Sequence, residues 1–115
     1  MILRTLSETE RQLLERLLSV DVPGRPELLL QVKEALVKPI DGNGSLRFVI
    51  KSDVVAPVAR RIPVEAQCQD NDGMWIHALL HVVNGKISEL EIYKDDSSPV
   101  IKRPTRDEWD LVVLD

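Results

Sequence analysis

Residues Met74–Asp96 read MWIHALLHVVNGKISELEIYKDD, and everything else in the chain follows from how this stretch is taken. As a helix, it would set His77 and His81 one turn apart on a single face, the spacing of a zinc site. As a strand, it would place them ~13 Å apart at ~3.3 Å per residue. One zinc ion requires ligands about 2 Å from itself, so the strand reading excludes a shared ion. The apolar residues decide between the two. Met74, Ile76, Ala78, Leu80 and Val82 recur at every second position, which is the period of a half-buried strand. Asn84-Gly85 is a hairpin turn signal, and Ile87, Leu90, Ile92 and Tyr93 follow on the return strand. The stretch is therefore a β-hairpin of about 74–83 and 86–94, with no metal expected. "DNDG" upstream is not an EF-hand, because position twelve counted from Asp70 is His81 where a bidentate Glu is required.

The hairpin allows two registers. A two-residue turn pairs Val82 with Ile87 and mixes apolar and acidic groups on both faces. A type I turn with Gly85 as a bulge slips the register by one, and a one-residue slip moves every partner side chain to the other face. It gathers Ile76, Ala78, Leu80, Val82, Leu90 and Ile92 on one side. Trp75, His77, Leu79, His81, Ile87, Glu89, Glu91 and Tyr93 fall on the other. Burying an unpaired carboxylate costs several kcal/mol, more than the ~1 kcal/mol separating turn types. The bulged register is the expected one, with His77 opposite Glu91 and Trp75 opposite Tyr93.

Upstream, "LSETERQLLERLLSV" opens a helix at about 8–20. Ser7 and Glu10 have capping-box spacing, and Leu13, Leu14, Leu17 and Leu18 form the apolar stripe. "DVPGRP" breaks it, and Pro26 suits the first turn of a second helix to about residue 36, with Leu28, Leu29, Val32, Ala35 and Leu36 facing inward. "DGNGS" is a turn. "SLRFVI" and "RIPVEAQCQ" alternate as strands, with Pro63 marking an edge or bulge, while "VVAPVA", broken by Pro57, reads as a loop or an edge strand. "LVVL" near the end reads as a last short strand. The predicted fold is one α+β domain over 1–115: two N-terminal helices (about 8–36) on one face of an antiparallel meander sheet of four to six strands (about 45–94), then an extended tail (95–115).

The bulk numbers narrow the function. A chain of 115 residues with 43% hydrophobic and 30% charged side chains has the make-up of one globular domain. It contains no apolar run of the ~20 residues a membrane helix needs. The opening "MILRTLSETERQ" lacks a secretory core, and a lone cysteine, Cys68, leaves no internal disulfide, so a reducing cytoplasm is expected. The net charge of −4 divides into +2 over residues 1–64 (ten Lys/Arg, eight Asp/Glu) and −6 over 65–115 (five against eleven). An acidic second half is the wrong sign for nucleic acid and the right sign for a basic protein partner.

Candidate chemistry gathers on the outer hairpin face. Trp75, His77, Glu91 and Tyr93 combine flat aromatic area with a polar anchor, the composition of a small binding face; ordinary cross-strand pairing accounts for the same residues. No nucleophile or oxyanion hole accompanies them, so no catalytic residue is assigned. Cys68 lies on an apolar row and reads as a buried, inert thiol. "DGNGS" lacks the Gly-Lys-Ser/Thr ending of a P-loop, and "YKDDSSP" reads as a capped turn. No cofactor is expected.

The order "SETERQLLERLL", "DGNGSLRF", "QDNDG" and "GKISELEIYKDDSSPV" resembles an uncharacterised family of small bacterial α+β proteins, a domain of unknown function, over roughly residues 2–104. The resemblance implies the α+β fold and brings no catalytic residue with it. In size and acidity the chain is similar to immunity and accessory proteins that bind a larger partner. Three functions are therefore carried forward. The first is a non-enzymatic binding module for a protein partner. The second is a small-molecule site or enzyme near Trp75, His77 and Glu91. The third is a homodimer formed through the outer hairpin face, with the tail from Trp109 as the other possible cover of that face.

Overall fold

A computed structural model describes residues 2–112. Helix α1 spans Glu8–Leu17, and its capping box is formed as the sequence predicts: the Ser7 hydroxyl accepts from Glu10 N, and the Glu10 carboxylate accepts from Ser7 N. Helix α2 spans Arg25–Glu34 with Pro26 in its first turn. Gly24 precedes it in the left-handed region at φ 85°. The two helices bury Leu13, Leu14 and Leu17, and Leu28, Gln31 and Val32. Both end sooner than expected: α1 stops at Leu17, and α2 stops at Glu34 because Leu36, read as helical, already belongs to a strand.

Among the described residues the sheet has seven antiparallel strands rather than four to six: β1 Arg4–Thr5, β2 Leu36–Pro39, β3 Leu46–Val49, β4 Val64–Gln69, β5 Trp75–Val83, β6 Lys86–Lys94 and β7 Asp110–Val112. Their order is β1-β2-β3-β6-β5-β4-β7, so the β2–β3 hairpin and the β4–β5–β6 meander join where β3 meets β6, with β1 and β7 added at the two edges. At that seam Leu46 faces Leu90 and Arg47 faces Glu89. The buried Ser45 hydroxyl extends the ladder, accepting from Ile92 N and donating to Ile92 O. The turn "DGNGS" is held by Asp41 Oδ1, which accepts from Asn43 N and Ser45 N. Pro63 stands immediately before β4, where its missing N–H breaks no ladder bond.

The hairpin combines features of both registers. Val82 faces Ile87 and Val83 faces Lys86, so the two-residue turn forms, with Asn84 at φ 52° and Gly85 at φ 76°. Both central residues therefore have positive φ, the signature of a type I′ turn. A bulge follows at once, because His81 faces Glu89 and leaves Ser88 unmatched. The slip needed to keep carboxylates off the core is thus made two residue pairs beyond the turn. Ile76, Ala78, Leu80, Leu90 and Ile92 are buried as expected, and Glu89 and Glu91 are not. Ile87, assigned to the outer face, is instead buried, because it precedes the bulge. The cross-strand partners differ too: His77 faces Tyr93, Leu79 faces Glu91, and Trp75 lies beside Gln69 of β4.

Gln31 explains why the tip adopts this shape. Its buried amide donates to Val54 O and Gly85 O and accepts from Ile87 N, tying α2, the 50–63 loop and the turn together. The core then joins the helix leucines to Val64, Ala66, Cys68, Ile76, Ala78 and Leu80.

The tail does not lie over the outer face. Trp109 is part of the core, and β7 pairs with β4, Ala66 facing Leu111. The remainder of "LVVL", residues 113–114, lies outside the described residues. A buried ion-pair clasp fixes the tail's course. Lys94 Nζ donates to Asp70 at 3.1 Å and to Asp72 at 2.5 Å, and Asp70 also accepts from the backbone N–H groups of Asn71, Ile101 and Lys102. Burial alone would raise the Asp70 carboxyl; these hydrogen bonds outweigh it and hold the group well below the usual carboxylate range.

Candidate functional site

The alternation of β4–β7 sends one row of side chains away from the core. On β5 and β6 this row is Trp75, His77, Leu79 and His81 beside Glu89, Glu91 and Tyr93. Its neighbours are Glu65, Gln67 and Gln69 on β4 and Asp110 and Val112 on β7. The four predicted binding residues, Trp75, His77, Glu91 and Tyr93, therefore share one face.

Their pairings are not those expected. His77 stacks on Tyr93, with ring centroids 5.0 Å apart and planes 25° from parallel. Its Nε2 meets Asp95 Oδ1 at 2.5 Å. Glu91 takes the other histidine, His81, with Nε2 to Oε1 at 2.9 Å. The bulge is the reason. It puts His77 opposite Tyr93 rather than Glu91, leaving Glu91 within diagonal reach of His81.

A second cluster surrounds His81. Ligand-type atoms of His81, Glu89 and Glu91 lie within 4.8 Å of one another, the one such group among the described residues. Its hydrogen bonds fix the ring's tautomer. Arg61 Nε donates to His81 Nδ1 at 3.2 Å, which needs an unprotonated Nδ1, so the ring proton sits on Nε2 and points at Glu91. A metal ligated through Nε2 would need the lone pair that this proton occupies. Arg47 stands 4.0 Å from Glu89. The cluster is built as an alternating chain of cation, imidazole and carboxylate. Sequence reading passed over His81, Glu89 and Arg61 as a group because they come together only through the bulge and the loop before β4.

The electrostatics of the face are acidic. Burial pushes the Tyr93 hydroxyl up, and Glu65, Glu91 and Asp95 push it further. The side-chain carboxylates of Glu65 and Asp110 have no hydrogen-bonding or ionic partner among the described residues. The thiol of Cys68 lies on the inward row and is buried, as its position on the apolar alternation implied, and that burial raises it.

Seven antiparallel strands, two short helices and an outward face rich in aromatics and carboxylates define a small α+β domain. The chain belongs to a family described as a domain of unknown function, DUF6984, whose model matches residues 3–104. No curated protein and no solved structure matches it. Among the described residues, no helix is long and apolar enough to cross a membrane.

Proposed function

We propose that the chain is a small non-enzymatic binding or accessory protein, of the immunity type, that recognises a basic partner protein through the outward face of β4–β7. One observation carries this reading. The His77–Tyr93 stack and Trp75 lie among the carboxylates Glu65, Glu91, Asp95 and Asp110 on a surface that the core-forming side chains leave open. Aromatic residues supply contact area at low entropic cost, and their electron-rich faces attract Arg and Lys. The ring of carboxylates attracts the same cations and repels phosphate, which disfavours nucleic acid. It also disfavours self-association through this face, since two copies would bring like charges together. A small-molecule or catalytic site at Trp75, His77 and Glu91 has less support, because His77 and Glu91 belong to separate pairs. A cytoplasmic location in a bacterial host completes the reading, supported by the buried, unpaired Cys68.

The test is affinity purification from the native host with wild type, Trp75→Ala, and the double variant Glu65→Gln/Asp110→Asn. A partner retained by wild type should lose about 1–3 kcal/mol of affinity on Trp75→Ala, without a matching fall in melting temperature. The charge variant should flatten the salt dependence of binding. Equal recovery by all three proteins would overturn the proposal.

A further inference from the structure

A cavity of about 320 Å³ opens on the other side of the sheet from Trp75 and His77. Its floor is Ile76, Leu90 and Ile92 of the inward row, walled by Leu13 of α1 and by Val100 and Trp109 of the tail. The mouth has a different character. Lys102, Arg103 and Arg106 line it, and they are three of the five Lys and Arg residues in the acidic span 65–115. Two of the three are already matched: Lys102 by Glu108, and Arg106 by Glu15 at 3.5 Å. Glu10, the acid at the cavity, is matched by Arg4 at 2.8 Å. Arg103 donates to Gly42 O at 3.1 Å and has no acidic partner among the described residues. The mouth therefore offers one uncompensated guanidinium above an apolar floor.

We propose that this cavity binds a small amphipathic monocarboxylate, an acyl acid of about ten heavy atoms, with its chain along Leu13, Ile92 and Val100 and its head at Arg103. The size follows from the volume, since each atom group takes up roughly the ~30 Å³ of a water molecule. The charge follows from the mouth: among the described residues one lining cation lacks an acidic partner, which matches one anionic head, and a guanidinium fits a carboxylate in bidentate fashion. The volume lies at the lower end of the ~300–1,000 Å³ typical of ligand sites with apolar walls and few polar groups. The site is independent of the partner-binding face. Arg106 and Trp109, which close it, fall beyond the family-matched span of 3–104.

The test uses octanoate, with octanol as its neutral counterpart, and follows tryptophan emission. The chain has two tryptophans, so Trp75→Phe leaves Trp109 as the reporter in the cavity wall. Octanoate should shift that emission saturably, and octanol should bind about tenfold more weakly. Arg103→Gln, at an exposed position, should lower octanoate affinity to the level of octanol and leave octanol unchanged, while Arg103→Lys restores part of the preference. Equal binding of acid and alcohol, indifference to Arg103→Gln, or no saturable shift below about 1 mM would overturn the proposal.

Discussion

Gly85 is the most constrained position in the hairpin. Its φ of 76° lies where an L side chain is strained, and a Cβ there would overlap Val55 Cγ1 and come within 3.1 Å of the Ala56 backbone. Gly73 shares the strain, at φ 85°, but has nothing within 4 Å, and Gly42 has neither problem. Alanine at the three positions should therefore separate the two costs. Gly85→Ala should destabilise by about 2–4 kcal/mol, Gly73→Ala by about 1 kcal/mol, and Gly42→Ala by under ~0.5 kcal/mol, read from urea midpoints. The sequence marks Gly85 as a turn residue, since Asn-Gly is a hairpin signal. It does not show the second burden, because Val55 and Ala56 arrive from a loop thirty residues earlier. The histidines follow the same rule. Strand periodicity alone separates His77 from His81, but the partners Asp95 and Glu91 depend on where the bulge sits.

The bulge belongs to the scale of elements. Alternation shows which side chains share a face, because burying an acid is expensive at any register. It leaves open whether the slip occurs in the turn or after it, since both satisfy the core. Gln31 settles the matter, and a glutamine inside a short helix reads as surface until its three partners are seen. Gln31→Leu keeps the bulk and removes the hydrogen bonds, leaving Val54 O and Ile87 N unpaired in a buried setting. The variant should lose about 2–4 kcal/mol, and the Ile87 amide should exchange faster than its neighbours in β6. Strands β1 and β2 escaped the sequence for simpler reasons: two residues are too few to display a period, and Leu36 at the start of β2 continues the apolar spacing of α2.

For the whole molecule, acid sensitivity is set by the clasp between the β4–β5 turn and the tail. Asp70 is held well below the usual carboxylate range. The Lys102 ammonium and the Thr105 N–H bring Glu108 down to about 2. A carboxylate depressed in the folded state contributes stability above its unfolded value, near 4, and loses it as pH falls through the folded one. Stability should thus be insensitive to these groups near neutrality and decline from pH about 4 toward 2. Asp70→Asn should start less stable and fall less steeply on acidification. Its Ile101 and Lys102 amides should exchange faster, which urea midpoints at several pH values and hydrogen exchange can check. None of this is legible in the sequence, where Asp70, Lys94 and Lys102 are separated charges with no common pattern.

The seam between β3 and β6 bears on how the chain folds. The β2–β3 hairpin and the β4–β5–β6 meander close over local connections, whereas the seam must bring Leu46 to Leu90 across the 50–63 segment and that meander, and β1 and β7 must likewise reach their partners from far along the chain. Long-range pairing pays its loop entropy before any contact repays it, so the seam should form late, after the β2–β3 hairpin and the β4–β5–β6 meander exist. The charge division falls close to the same border: residues 1–64 carry +2 and residues 65–115 carry −6. Attraction between the halves would steer their docking. Fragments divided at residue 59 should reassociate when mixed, more slowly as salt is raised, and Ser45→Ala, which strips both buried bonds to Ile92, should impair the reassembled form more than the intact chain.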